Sequence, residues 1–146
     1  MNRTIAASAV ALALVSPASA GSNTNIDREL AGLLVMSFGV HNNCPAYELV
    51  DGGAVRFADA RGANYDKIGI AAVNAITAIA GGDYDRSKLI PEVTRFVRDG
   101  MIELGGEITK FGKAKFCAKY GAVMENVGFM KKVDGKKASK KDDGSF

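Results

Sequence analysis

The sequence is poor in the residues on which common catalytic and metal sites depend. Its 146 residues include no tryptophan, three prolines, two cysteines and one histidine, His41. A closed structural zinc site needs four cysteine or histidine ligands, and a serine or cysteine triad needs a histidine beside its nucleophile. The composition lacks the ligands for such a zinc site. We interpret His41 as a favourable charge at the end of a predicted helix, and we predict no catalytic residue.

Long apolar runs are absent after the first 20 residues. A helix that spans a bilayer needs about 20 consecutive apolar residues. The most apolar later segment, residues 68–80, is shorter than this and rich in alanine. We therefore expect no membrane span in the mature chain.

The first 20 residues have the three parts of a secretory signal peptide. Arg3 provides a positive charge, residues 5–15 are apolar or small, and residues 16–20 read Ser-Pro-Ala-Ser-Ala. The small side chain of Ala20 suits a signal peptidase, so we expect cleavage after Ala20 and a mature chain that starts at Gly21. A free periplasmic or secreted protein is the expected product.

The remaining chain has the length of one domain, and its two cysteines are expected to pair. Residues 21–130 form the predicted domain. An exported chain enters an oxidising compartment, where an even number of cysteines most often forms disulfides. The sequence therefore predicts a bond between Cys44 and Cys117. A metal or redox role for the two thiols is the alternative.

The last 16 residues differ from the rest in composition. Residues 131–146 contain six lysines and three aspartates with almost no apolar side chains. Such a segment buries too little apolar surface to fold by itself, so we predict a disordered, solubilising tail. A weak contact of Lys131 to Lys141 with anionic surfaces, such as lipid headgroups, is the alternative. The rest of the chain is close to neutral, and we expect no binding to nucleic acid.

Apolar residues recur at helical spacing along most of the predicted domain. The spacing predicts a first helix that begins at Thr24 or Asn25 and ends before Pro45. A weaker second helix is predicted over residues 45–61, with a break at its glycine pair, and a third over residues 65–80. The fourth begins near Pro91, with Ser87 or Asp85 as its cap. Its apolar stripe is the longest in the chain: Ile90, Val93, Val97, Met101, Leu104, Ile108 and Phe111.

A last helix completes the predicted fold. Helical spacing places on one of its faces Phe116, Tyr120, Val123, Val127 and Met130. No segment alternates apolar and polar residues in the manner of a strand, so no strand is predicted. The sequence thus predicts an all-α fold, a small four- to five-helix bundle with one disulfide. The third helix is apolar on nearly every side, which predicts that it is the buried centre.

Aromatic and acidic side chains offer one candidate binding site. Tyr65 and Asp66 begin the third helix, and Tyr84 and Asp85 follow it. A cleft that gathers these four residues would suit a small ligand, because ligand pockets combine aromatic walls with a few polar groups. No motif for a cofactor or a metal ion is found, and neither is predicted.

Two classes of function stay open. The absence of a catalytic set favours a non-enzymatic cell-envelope protein that binds an envelope or secreted protein. In its layout, a small exported helical chain with two distant cysteines, the protein resembles periplasmic acid-stress chaperones and immunity proteins that inhibit secreted toxins. The resemblance implies a role as inhibitor, chaperone or assembly partner. The alternative is a periplasmic small-ligand binder, or an atypical enzyme, with a pocket between its helices.

Overall fold

The computed structural model of the protein describes residues 24–134, which form five helical segments and one small sheet. The first half contains α1 (Thr24–Asn43), β1 (Tyr47–Leu49), α2 (Gly53–Arg61) and α3 (65–79). α3 begins with a π-helical turn, Tyr65–Gly69, and continues as an α-helix, Ile70–Ile79. The second half contains a 3₁₀ turn (Arg86–Lys88), α4 (Pro91–Phe111), α5 (113–126) and β2 (Met130–Lys132). Within α5, a π-helical turn, Cys117–Gly121, separates Lys113–Phe116 from Ala122–Asn126. The predicted signal peptide, residues 1–20, and most of the predicted tail lie outside the described residues.

The predicted helical bundle is confirmed, but its centre is a different helix. α1 is buried on most of its sides, through Leu30, Ala31, Leu33, Leu34, Val35, Ser37 and Val40. The third helix was predicted to be the centre, and that prediction is wrong. α3 buries mainly small residues, while Val73 and Ile79 are 40% and 39% exposed. Its alanines allow close packing on one side only, so its apolar composition does not make it central.

The predicted disulfide is present. The Cys44 and Cys117 sulfurs are 2.01 Å apart, and the Cα atoms of the two residues are 5.5 Å apart. Cys44 follows α1 directly and is almost fully buried, and Cys117 begins the π-helical turn of α5. The bond therefore ties α5 to the carboxyl end of the central helix.

A two-stranded antiparallel sheet lies next to this disulfide, although no strand was predicted. β1 and β2 pair with Glu48 opposite Lys131, and the Nζ of Lys131 is 2.8 Å from a carboxylate oxygen of Glu48. Strands of three residues are too short to show an alternating pattern. The predicted helix start at Pro45 is wrong, because the chain enters β1 there and becomes helical again only at Gly53. Lys131 and Lys132 belong to β2, so the folded part continues past residue 130, where the predicted domain ended.

Local backbone features also change two helix details. The π-helical turn holds one extra residue, so the buried face of α5 moves from Val123, which is 39% exposed, to Met124, which is fully buried. Asp85 does not cap α4. Its carboxylate accepts hydrogen bonds from the backbone N–H and the hydroxyl of Ser87 and so caps the 3₁₀ turn, whereas α4 begins with Pro91 after extended Ile90.

Candidate functional site

The larger of two described clefts lies where three helices meet. It is formed by the first turns of α1, the π-helical turn of α3 and the first half of α4, and its cavity volume is about 680 Å³. We name it the α1–α4 cleft. It is lined by Thr24, Asn25, Asp27, Arg28, Ala31, Lys67, Ile68, Ile90, Glu92, Val93, Arg95, Phe96 and Asp99.

The floor of the α1–α4 cleft is apolar. It consists of Ala31, Ile68, Ile90, Val93 and Phe96, and the Phe96 ring is 38% exposed. Small residues of α1 and α4 lie where the two helices approach each other. A Cβ atom at Gly32 would lie 3.8 Å from the Phe96 ring, and one at Gly100 would lie 3.4 Å from the Val35 side chain. The two helices are thus in close contact beside the cleft, and the Phe96 ring lies over Gly32 of α1.

A chain of hydrogen bonds positions one wall of the cleft. Asp27 is 5% exposed, and its Oδ1 accepts a hydrogen bond of 2.8 Å from the backbone N–H of Asn64. The Oδ1 of Asn64 in turn accepts a bond of 3.0 Å from the backbone N–H of Lys67 and caps the π-helical turn. Asp27 thus joins α1 to the turn that carries Lys67 and Ile68. Its buried carboxylate is structural and orients the wall.

The rim carries charges of both signs that are not used within the fold. Arg28, Lys67 and Arg95 are basic, and Glu92 and Asp99 are acidic. Among the described residues, the ion pairs join Arg61 to Glu29, Lys119 to Glu107 and Lys131 to Glu48, and none includes a rim residue of the cleft. Glu92, Arg95 and Asp99 follow each other along one face of α4. The rim charges are therefore available to an incoming molecule.

The side chains that line the cleft are acidic, basic, amide, hydroxyl and apolar. No histidine or cysteine is among the described residues that line it. His41 is 16 residues further along α1 than Asn25, a distance of about 24 Å at 1.5 Å per residue. Across residues 24–134, no group of three or more His, Cys, Asp or Glu side chains is placed to hold a metal ion. The side chains at the cleft offer ion pairs, hydrogen bonds and apolar contact.

The four predicted ligand residues do not line this cleft. The Tyr65 ring covers Gly69 within the π-helical turn. The backbone N–H of Asp85 donates a hydrogen bond of 2.8 Å to Oδ1 of Asn74, which places Tyr84 and Asp85 beside the middle of α3. Asn74 is nine residues beyond Tyr65, about 13 Å along the helix. Neither pair, Tyr65 with Asp66 or Tyr84 with Asp85, lines either described cleft.

The second cleft is smaller and lies between α2 and the end of α5. Its cavity volume is about 370 Å³, and its lining includes Arg56, Phe57 and Arg61. Arg61 is already engaged, because its guanidinium is 3.2 Å from a Glu29 carboxylate oxygen and 5.6 Å from the Phe57 ring centroid. The α1–α4 cleft, with its unused charges, is the better candidate.

Comparison with protein-family models, with curated proteins and with solved structures found no match to this chain. Within residues 24–134, no helix combines the length and the apolar composition that crossing a bilayer requires.

Proposed function

We propose that this protein is an exported, non-enzymatic binding protein that holds a segment of a partner protein in the α1–α4 cleft. The observation that carries the proposal is a set of apolar lining residues surrounded by charges of both signs that, among the described residues, form no ion pair. Protein interfaces have this anatomy, with an apolar centre, a polar rim and an enrichment in Arg and aromatic residues. An apolar side chain of the partner would contact Phe96 and Ile68, and its charged flanks would pair with the rim.

The spacing of the rim charges favours a polypeptide over a compact ligand. Glu92 and Asp99 are about 10 Å apart along α4, with Arg95 between them. Arg28 and Lys67 lie on other elements of the cleft. A segment with several side chains can satisfy charges that are spread over such a length. A drug-sized ligand is usually enclosed over most of its surface, whereas this cleft is open along one side.

Export is supported by two features of the chain. The first 20 residues have the charge, apolar run and small residues of a signal peptide. The Cys44–Cys117 bond is of the kind that forms and persists in oxidising compartments. Both features fit a periplasmic or secreted protein, so the partner is an envelope or secreted protein. Inhibitor, chaperone and assembly partner are the roles that this chemistry allows.

Site-specific photo-crosslinking tests the proposal. A photoreactive amino acid replaces Phe96 in the oxidised mature chain from Gly21, which is then irradiated in an envelope extract of the source cells. The matched control replaces Ile102, which is 68% exposed on the same helix but does not line the cleft. We expect one partner to be captured from position 96 and not from position 102. Equal capture from both positions, or none from position 96, contradicts the proposal.

A small-ligand binder, or an atypical enzyme, is the alternative. The cavity volume of about 680 Å³ favours it, because ligand pockets measure about 300–1,000 Å³. A thermal-shift screen against small metabolites distinguishes the two. One outcome would favour the small-ligand function over the protein partner. In that outcome a metabolite stabilises the wild type and Arg98→Glu but does not stabilise Arg95→Glu.

A further inference from the structure

The corner between α4 and α5 is an exposed turn that joins two helices. Residues 109–115, here named the α4–α5 corner, are all exposed. The chain turns at Gly112, whose φ of 83° suits glycine and whose N–H donates a bond of 2.9 Å to the Ile108 carbonyl oxygen. Phe111 ends α4 and is 50% exposed. The turn therefore presents an aromatic ring to the surroundings instead of burying it.

Lysines lie on both sides of this ring in sequence, and the nearest acidic residue, Glu107, is engaged with Lys119. Residues 108–124 contain Lys110, Lys113, Lys115 and Lys119 and no Asp or Glu. Lys119 is engaged with Glu107 at 3.4 Å. Within the described chain, the other three lysines take part in no ion pair. The Nζ of Lys110 is 5.1 Å from the Phe111 ring centroid, a cation–π distance that holds a positive charge beside the ring.

We propose that the α4–α5 corner docks on an anionic lipid surface. The Phe111 ring enters the headgroup region, and the three lysines contact the lipid phosphates. Basic residues beside a membrane are attracted to anionic lipids, and an aromatic ring among them adds apolar burial at the interface. The long lysine side chains keep their charges in water while their methylene groups cover the ring.

The exposed ring favours lipid over an acidic polysaccharide as the occupant. A polysaccharide can pair with lysines and stack a sugar ring on one face of an aromatic side chain, whereas a bilayer interface pairs with lysines and surrounds the whole ring. The corner is separate from the α1–α4 cleft, because none of its residues lines that cleft. It is also separate in sequence from the predicted Lys-rich tail, whose charges add to the same attraction.

Binding of the full mature chain to vesicles tests the proposal. The vesicles are phosphatidylcholine with or without phosphatidylglycerol. One variant combines the three substitutions Lys110→Gln, Lys113→Gln and Lys115→Gln. The other variant is Phe111→Ser. The first control neutralises three exposed basic residues outside both the corner and the α1–α4 cleft, Arg86→Gln, Lys88→Gln and Arg98→Gln. The second control is Ile102→Ser, which removes an apolar side chain that is more exposed than Phe111. Far-UV circular dichroism confirms that every variant is folded.

The expected results separate the contributions of charge and ring. Each corner lysine is expected to contribute about a fivefold factor in affinity for the anionic vesicles. The triple corner variant therefore loses far more affinity than its control, and Phe111→Ser loses several-fold while Ile102→Ser stays close to the wild type. Equal losses in the corner variants and their controls overturn the proposal. It is also overturned if Phe111→Ser binds vesicles like the wild type while a soluble acidic polysaccharide binds through the lysines.

Discussion

The two ends of α1 are built for different tasks. At its carboxyl end, the Cys44–Cys117 disulfide and the β1–β2 sheet fix the surrounding elements to one another. At its amino end, one buried hydrogen bond from Asn64 to Asp27 and apolar packing hold the wall of an open cleft. At the sheet Glu48 pairs with Lys131, whereas among the described residues the charged rim residues of the cleft form no ion pair. The difference indicates that one end supplies stability and leaves the other free to bind.

The same backbone feature nevertheless occurs at both ends of α1. Each contains a π-helical turn that ends in a glycine, and each glycine lies beneath a tyrosine ring: Gly69 beneath Tyr65 and Gly121 beneath Tyr47. π-Helical turns widen a helix by one residue and recur at functional positions. At the cleft end the turn carries lining residues, and at the other end it carries Cys117. The π-helical turn is common to both ends of α1, and the side chains around it determine whether that end binds or stabilises.

Removal of the disulfide has the largest expected effect, because the bond restricts the unfolded chain and joins α5 to the carboxyl end of α1. Cys44→Ser with Cys117→Ser opens a loop with a sequence separation of 73 residues. Loss of that loop constraint is expected to lower the free energy of unfolding by about 4 kcal/mol. Urea denaturation followed by circular dichroism measures it. Amides that exchange only through global unfolding should all exchange faster, and β1 and α5 should show an additional rise from local opening that the cleft does not show. A loss below about 1 kcal/mol, or no additional rise in β1 and α5, would contradict the comparison.

A methyl group at Gly121 is expected to have the next largest effect. The Cβ atom of Gly121→Ala would overlap the Tyr47 ring, so β1 must move away from α5. Such overpacking lowers the free energy of unfolding by about 3 kcal/mol. The matched control is Gly105→Ala on exposed α4, where nothing lies within 4 Å of the added atom and a gain of about 0.5–1 kcal/mol is expected. Similar changes in the free energy of unfolding for the two variants would show that stability does not depend on the close contact between Gly121 and Tyr47.

The buried carboxylate at the cleft end is expected to matter somewhat less. Asp27→Ala removes the acceptor of the Asn64 N–H and should lower the free energy of unfolding by about 2 kcal/mol. Asp27→Asn keeps an acceptor oxygen at the same place, so most of the loss should be recovered. Thermal or urea denaturation measures both variants. An equal loss in the two would mean that the negative charge, and not the hydrogen bond, holds this wall.

The smallest effect concerns pH dependence at the disulfide end. The Tyr120 hydroxyl donates a hydrogen bond of 2.7 Å to Glu107, and together with the Lys119 ammonium it lowers the pKa of that carboxyl. The stabilising contribution is present above the unfolded value of about 4.3 and is lost as pH falls through the lower folded pKa. Urea midpoints at pH 5 and pH 3 should therefore fall less in Glu107→Gln than in the wild type. An identical fall in both would contradict this assignment.

Helical periodicity predicted the fold better than it predicted the site. The stripes of α1 and α4 place the helices, and the even cysteine count predicts the disulfide. The strands were not predicted, because three residues are too few to show an alternating pattern. Val123 was wrongly assigned to the buried face, because a π-helical turn shifts the helical register by one residue. Backbone geometry of this kind is set by packing, here by the Tyr47 ring over Gly121.

The cleft could not be predicted, because its residues come from three distant segments. Arg28, Lys67 and Phe96 are brought together only by the packing of α1, α3 and α4. One signal was present in the sequence. Phe96 lies on the charged face of α4 that also carries Glu92, Arg95 and Asp99, opposite the apolar stripe of that helix. An aromatic residue among charged residues on such a face indicates an exposed binding contact. Tyr65, Asp66, Tyr84 and Asp85 were chosen for their chemistry alone.

The affinity of a matched pair of charge reversals tests the binding role of the α1–α4 cleft most directly. Arg95→Glu and Arg98→Glu change the same charge on the same helix, but only Arg95 lines the cleft. Isothermal titration with the partner captured through position 96 gives the dissociation constant of each variant. We expect Arg95→Glu to weaken binding at least about tenfold, as for loss of an interface charge pair, and Arg98→Glu to bind like the wild type. Equal affinities for the two variants would contradict the assignment of the cleft as the binding site.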